Sequence, residues 1–253
     1  MKKMLILMVF FGLSSSMGAE NSTPWAPSAT LRTEMVSKYL GFANGSVISD
    51  RPAIQTDFCI PLPEGFRIGI WNSTGLDGSD PSNLGDEVDY YAGWTGTFEG
   101  FGVDVSFAYF DEPGIFHFGS CDILNPGVEI NHPLKNGLVP FVKWVGYTTM
   151  PNSGFDGGNV FQFGTRYTFN SESIIKLPKF VSVPVQTIFA WDDGAFFSDP
   201  GVLWKGMIEA NWHITKWLDV NAPCAAVYAP VTVDNKNPHG TDIVVYAGVT
   251  IRL

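Results

Sequence analysis

Phe101-Gly102-Val103-Asp104-Val105-Ser106-Phe107-Ala108-Tyr109 alternates without a break. Successive side chains of a strand point to opposite faces, so Phe101, Val103, Val105, Phe107 and Tyr109 share one side while Gly102, Asp104, Ser106 and Ala108 share the other. A soluble sandwich strand alternates too. The meaning of the stretch therefore comes from its neighbours, which repeat the pattern along the whole chain at roughly ten-residue length.

Outward from it, the predicted strands are 30–40, 53–60, 66–73, 87–98, 101–110, 122–132, 138–149, 159–169, 180–192, 202–213, 218–228 and 242–253. Twelve is an even number, as in single-chain bacterial barrels. Connections after odd-numbered strands, such as 75–86 and 229–241, are mostly long, and those after even-numbered strands are mostly short. This is the rhythm of an up-and-down meander with both termini at one end, expected to be the periplasmic end. The connection 170–179 breaks the rhythm, being long where a short one is expected. Pro184 and Pro223 fall inside predicted strands and predict bulges or a broken ladder there, Pro126 interrupts the sixth strand, and the faces of 138–149 are not assignable from its nearly all-apolar sequence.

The first residues place the chain in an export route. Lys2 and Lys3 precede the apolar run Met4 to Leu13, and Ser14-Ser15-Ser16-Met17-Gly18-Ala19 supplies small residues for cleavage. The run is about half of the ~20 residues that a membrane helix needs. The expected organisation is a signal peptide over 1–19 and one β-barrel domain over 20–253. The formal net charge of −10 becomes more negative without Lys2 and Lys3 and argues against a nucleic-acid partner, whose phosphates require a basic face. No other stretch is long and apolar enough for a spanning helix. A bilayer location therefore requires a closed barrel, the other structure that satisfies every backbone N–H and C=O without water.

Aromatics gather near predicted strand ends, where interfacial belts lie: Trp94, Tyr109, Trp144, Tyr167, Trp191, Trp204, Trp212 and Trp217. The same residues in a soluble sandwich would be core. The stretches Val36-Ser37-Lys38-Tyr39-Leu40, Asp50-Arg51-Pro52-Ala53-Ile54-Gln55, Gly85-Asp86-Glu87-Val88-Asp89-Tyr90-Tyr91-Ala92-Gly93 and Val105 to Tyr109 resemble the TorF-type family of outer-membrane porins. The likeness covers mainly the first half of the chain and lies in strand patterns. It implies an outer-membrane location and passive permeation, without a substrate. In one respect the chain departs from outer-membrane habit: it ends Thr250-Ile251-Arg252-Leu253 rather than in an aromatic residue.

The face opposite the apolar one is expected to line a pore, with Arg32, Glu34, Lys38, Gln55, Asp57, Arg67, Glu87, Asp89, Asp104, Glu129, Arg166, Asp192, Lys205, Glu209, Asp219, Arg252 and Asp242 on it. Carboxylates outnumber cations in this set. The expected function is a porin-like outer-membrane channel for passive diffusion of small hydrophilic solutes or ions, weakly preferring cations, with no cofactor and no enzymatic role. Its partners would be outer-membrane lipids, the barrel-assembly machinery and the permeating solutes. The alternatives are a plugged structural or adhesive barrel, a soluble periplasmic ligand-binding barrel and an outer-membrane hydrolase.

The hydrolase alternative rests on Glu209, Asn211 and His213 in one inward row, with His213 able to meet Ser182 or Ser106 and an acid. A satisfied histidine at the rim is the simpler reading. The acidic loop 77–86 carries oxygen ligands without the register of a calcium loop, and reads as a solvated segment. Cys59, Cys121 and Cys224 show no metal spacing or disulfide framework. They read as small half-buried residues, of which one pair could oxidise in the periplasm.

Overall fold

The structure, a computed structural model, describes residues 28–40, 47–49, 51–76, 87–111, 123–149, 157–173, 175–195, 200–230 and 241–253. The predicted signal peptide, the acidic loop 77–86 and Cys121 lie outside them. The described residues form fourteen strands: β1 (Thr30–Val36), β2 (Tyr39–Leu40), β3 (Val47–Ser49), β4 (Ala53–Pro61), β5 (Phe66–Gly75), β6 (Glu87–Phe98), β7 (Phe101–Asp111), β8 (Ile123–Asn131), β9 (Val139–Thr149), β10 (Gly158–Phe169), β11 (Val181–Asp192), β12 (Gly201–Thr215), β13 (Leu218–Pro230) and β14 (Asp242–Arg252). Twelve of them form one closed antiparallel barrel in sequence order, and β2 and β3 form a separate two-stranded sheet. Closure is made by β1, which pairs Thr30 with Arg252 on one side and with Cys59 on the other. The sheet therefore has no open edge.

The predicted first strand is corrected at its end: β1 stops at Val36, and Tyr39–Leu40 pairs with Val47–Ser49 instead of continuing the wall. The prolines act through the ladder rather than by ending strands. β8 runs through Pro126, but its pairing to β9 skips from Leu124–Thr148 to Gly127–Val145. β11 runs through Pro184 with a gap in its pairing to β12 between Ser182–Asn211 and Val185–Ile208. At Pro223 the register to β14 shifts between Asn221 and Cys224. A proline cannot donate a ladder bond; at Pro126 and Pro184 the other neighbour keeps the strand paired, whereas at Pro223 the register to β12 shifts as well.

The short connections lie at the end that holds both termini. Glu99 (φ 49°) and Gly100 (φ 86°) form the two-residue link between β6 and β7, and two successive positive φ values give a turn whose twist matches the flanking strands. At the β4–β5 link, Gly65 (φ 82°) sits so close to β6 that a Cβ would fall 2.1 Å from the Thr95 carbonyl oxygen. The long β10–β11 connection is tied down by Ser173, whose hydroxyl contacts the carbonyls of Asn170 and Ile175 at 2.7 and 2.6 Å.

Burial follows the alternation. On β10, Val160 and Gln162 are buried while Phe161 and Phe163 between and beside them are exposed, Phe163 by 57%. Met35, Ile68, Ile70, Phe189, Ile208 and Ile243 are exposed in the same way. A protein that meets only water does not leave a continuous apolar surface of this size around its whole girth. The aromatic residues anticipated from the sequence divide between two levels of that surface. Trp94, Tyr167, Trp212 and Trp217 lie towards the terminal end of their strands or turn, and Tyr109, Trp144, Trp191 and Trp204 towards the other. Several surface indoles donate to protein acceptors: Trp94 to the Glu64 carbonyl at 3.0 Å and Trp204 to Thr187 Oγ1 at 2.9 Å.

Candidate functional site

The inner wall is the site, because the alternation sends nearly all strand-borne charge there. Arg32, Glu34, Gln55, Asp57, Arg67, Glu87, Asp89, Asp104, Glu129, Arg166, Asp192, Lys205, Glu209, Asp219, Asp242 and Arg252 all share the parity of the buried face of their strands. Lys38 is the correction among these residues. It stands in the bend after β1, off the wall, and pairs with Asp242 of β14.

Towards the terminal end the wall is ionic. Arg32 lies between Glu34 on its own strand and Glu209 of β12, with Nη2 2.5 Å from Glu209 Oε2, so the pair passes over β14 and β13. Arg67 donates to Asp104 Oδ1 at 2.9 Å and to Thr95, whose hydroxyl donates to Asp104 Oδ2 at 2.9 Å. The guanidinium passes over Gly93, where any Cβ would stand 2.6 Å from it. Arg166 pairs with Glu129 and stacks 4.8 Å from the centre of the Phe141 ring. Tyr91 donates to Asp57 at 2.6 Å. Arginine suits these places because its planar fork holds a carboxylate with two donors and tolerates partial burial.

Towards the loop end the wall changes character. Val36, Ala53, Ile123, Val145, Tyr147, Val160, Ala190, Leu203, Ala226, Tyr228 and Val244 form one buried apolar cluster, each near the loop end of its strand. The charged residues here are tied to other things. Asp192 accepts the N–H groups of Gly194 and Ala195 at 2.8 and 2.7 Å, Glu87 accepts the Tyr39 hydroxyl, and Lys205 lies 5.0 Å from the Tyr228 ring centre.

The structure also selects among the residues proposed for hydrolysis. Ser182 lies 3.0 Å from His213 Nε2, and His213 Nδ1 lies 2.9 Å from Asp219 Oδ1, a Ser–His–Asp row on β11, β12 and β13. Ser106 is elsewhere, buried on β7. Two features make the row a structural tie. Asp219 is already held by both guanidinium nitrogens of Arg252. The neighbouring amides of Val181 and His213 are spent on the carbonyls of Pro178 and Phe180, at 2.9 and 2.8 Å, rather than converging on an oxyanion position.

Among the described residues no group of three or more His, Cys, Asp or Glu is placed to hold a metal ion. Cys59 and Cys224 are both free thiols. Sequence reasoning placed β9 at 138–149 but did not assign its faces. Its inward residues are Phe141, Lys143, Val145 and Tyr147, and the signal was Lys143, the strand's one charged side chain, which fixes the parity of the rest.

The fold is that of known channels. The chain superposes on the KdgM porin with a TM-score of 0.54 at 10% identity, covering 89% of this chain and 99% of that one. It superposes on the NanC porin at 0.53 and 10%, covering 89% and 100%. A COG4313 outer membrane channel from Pseudomonas putida F1 gives 0.52 and 12%, covering 95% and 100%. At such identities the likeness is one of fold. No curated protein matches the sequence. The profile of a family described as bacterial protein of unknown function (Gcw_chp) matches residues 19–152, more than half of the chain, and the protein belongs to that family.

Proposed function

We propose that the protein is an outer-membrane channel through which small hydrophilic solutes or ions diffuse passively, with a weak preference for cations and no catalytic step. The observation that carries this reading is the division of one closed sheet into an apolar outer face and a charged inner one. Only a barrel set in hydrocarbon has use for that arrangement at this scale. The resemblance of the sequence to TorF-type porins and the fold shared with KdgM and NanC support it. Insertion would require the barrel-assembly machinery and surrounding lipid.

The pore-lining residues of this reading are the inward set named above, with Lys143 added. The carboxylates Glu34, Asp57, Glu87, Asp89, Asp104, Glu129, Asp192, Glu209, Asp219 and Asp242 then face the cations Arg32, Arg67, Lys143, Arg166, Lys205 and Arg252. The excess is negative but small, and a water-filled lumen at physiological salt screens charge over about 8 Å. Preference for cations is therefore modest.

A plugged structural barrel is the second reading, favoured by the buried apolar cluster at the loop end. Cell fractionation and incorporation into planar bilayers test both. The channel reading expects an outer-membrane, heat-modifiable protein that conducts. An outer-membrane protein without conductance selects the plugged barrel, and recovery in the soluble periplasm contradicts both.

A further inference from the structure

The connection between β1 and β4 leaves the wall and turns inward. Ser37 is still bound to β14: its N–H donates to the Val245 carbonyl at 2.9 Å, and its hydroxyl accepts the Val245 N–H at 3.0 Å. Lys38 then pairs with Asp242 of the same strand. At the next residue the chain reaches the other way. The Tyr39 hydroxyl donates to Glu87 of β6, its ring centre lies 5.5 Å from that of Trp71 of β5, and the residue is 7% exposed. Its backbone is braced by pairing with Ser49 of β3.

In the order of the barrel, β4 and β5 stand between β1 and β6. The Tyr39–Glu87 bond therefore spans three strand spacings, about 14 Å at ~4.8 Å each. Glu87 and Trp71 both point inward, so this span crosses the interior rather than the outer surface. Anchored to β14 through Lys38 and to β6 through Tyr39, the start of the connection arches over one side of the loop-end mouth. A hydroxyl donating to a carboxylate is a strong, directional bond, and it fixes the ring against the inner wall at this end.

We propose that Tyr39, held by Glu87, narrows the loop-end mouth and is the residue that sets the size limit for permeating solutes. This rests on the channel reading and goes beyond it in naming the constriction. The size limit is then set by a side chain from a connection rather than by the wall itself.

Single-channel recording of the purified, refolded protein tests it, with heat-modifiability on a gel confirming that each variant has closed its barrel. Tyr39→Ala should raise unitary conductance by about twofold or more, since an aromatic ring leaves the narrowest section. Tyr39→Phe keeps the ring but frees it, and should add brief transitions from the level of the parent to a larger one. A silent parent with a conducting Tyr39→Ala variant would support the proposal and show the mouth latched shut. A conducting parent whose Tyr39→Ala variant has equal or lower conductance overturns the constriction and leaves the channel reading standing. Silence in both ends the channel reading and the proposal together. If Tyr39→Ala does not fold, Tyr39→Phe decides: a trace as steady as the parent's overturns the latch.

Discussion

The two halves of the inner wall use acidic residues for different purposes. In the terminal half, Glu209, Asp104, Glu129 and Asp219 each hold an arginine, and the four arginines on the wall, Arg32, Arg67, Arg166 and Arg252, all lie there. In the loop half, Asp192, Asp242 and Glu87 hold parts of connections: a pair of amides, Lys38 and Tyr39. Around them the wall mixes the buried apolar cluster with buried polar side chains such as Ser73, Asp111, Asn125 and Lys205. Inward orientation alone thus does not say what a carboxylate does. In one half it braces neighbouring strands across the lumen; in the other it fixes the chain that enters the mouth.

The largest effect expected from this difference is in the ionic half. Asp104→Ala leaves the Arg67 guanidinium, whose side chain is 12% exposed, without its carboxylate, and should destabilise the barrel by about 3–5 kcal/mol. Arg67→Met combined with Asp104→Leu removes both charges and should recover most of that loss. Denaturant titrations of the protein refolded into vesicles would measure both, and an additive double variant would break the claim that the two act as a pair.

The apolar half should answer differently. Leu203→Ala, at a site only 5% exposed, should cost about 2–4 kcal/mol through lost burial and the cavity left behind, with no change in ion selectivity. A shift of reversal potential in this variant would mean that the two halves are not separable in function.

A third substitution compares inner with outer wall. Phe163→Arg, on the exposed face of β10, should cost about 2–4 kcal/mol in a bilayer and much less in detergent, because it places charge in hydrocarbon. The smallest effect belongs to the hydrogen-bonded row. Ser182→Ala should cost about 1 kcal/mol, the value of one hydrogen bond, and a fluorophosphonate probe should leave Ser182 of the parent unlabelled. Labelling at Ser182 would make the row a nucleophilic site rather than a tie.

The twelve wall strands were legible because period-two alternation is a local property, strict in β7 and β10. What was not legible is what depends on partners far apart in sequence. The pairing of Arg32 with Glu209 crosses two intervening strands, and no spacing in the chain announces it. The inward turn at Ser37 was read as continued strand, since Lys38 and Tyr39 preserve the alternation while the backbone leaves the sheet. β9 hid its faces because apolar residues occupy both, the inner ones joining the loop-end cluster and the outer ones meeting the surround. His213 with Ser182 was visible as a possibility, but the choice of Asp219 and its capture by Arg252 required the register of three strands.

The central claim is that the charged inner wall conducts, and reversal potentials under a KCl gradient across a planar bilayer test it most directly. The protein should conduct with a modest cation preference that shrinks as salt rises. A variant carrying Asp57→Asn and Asp89→Asn should shift the potential towards zero while remaining folded. Anion preference in the parent, or a potential unmoved by removing two inward carboxylates, would contradict the charge argument. The absence of any conductance from folded protein, with Tyr39 intact or removed, would contradict the channel itself.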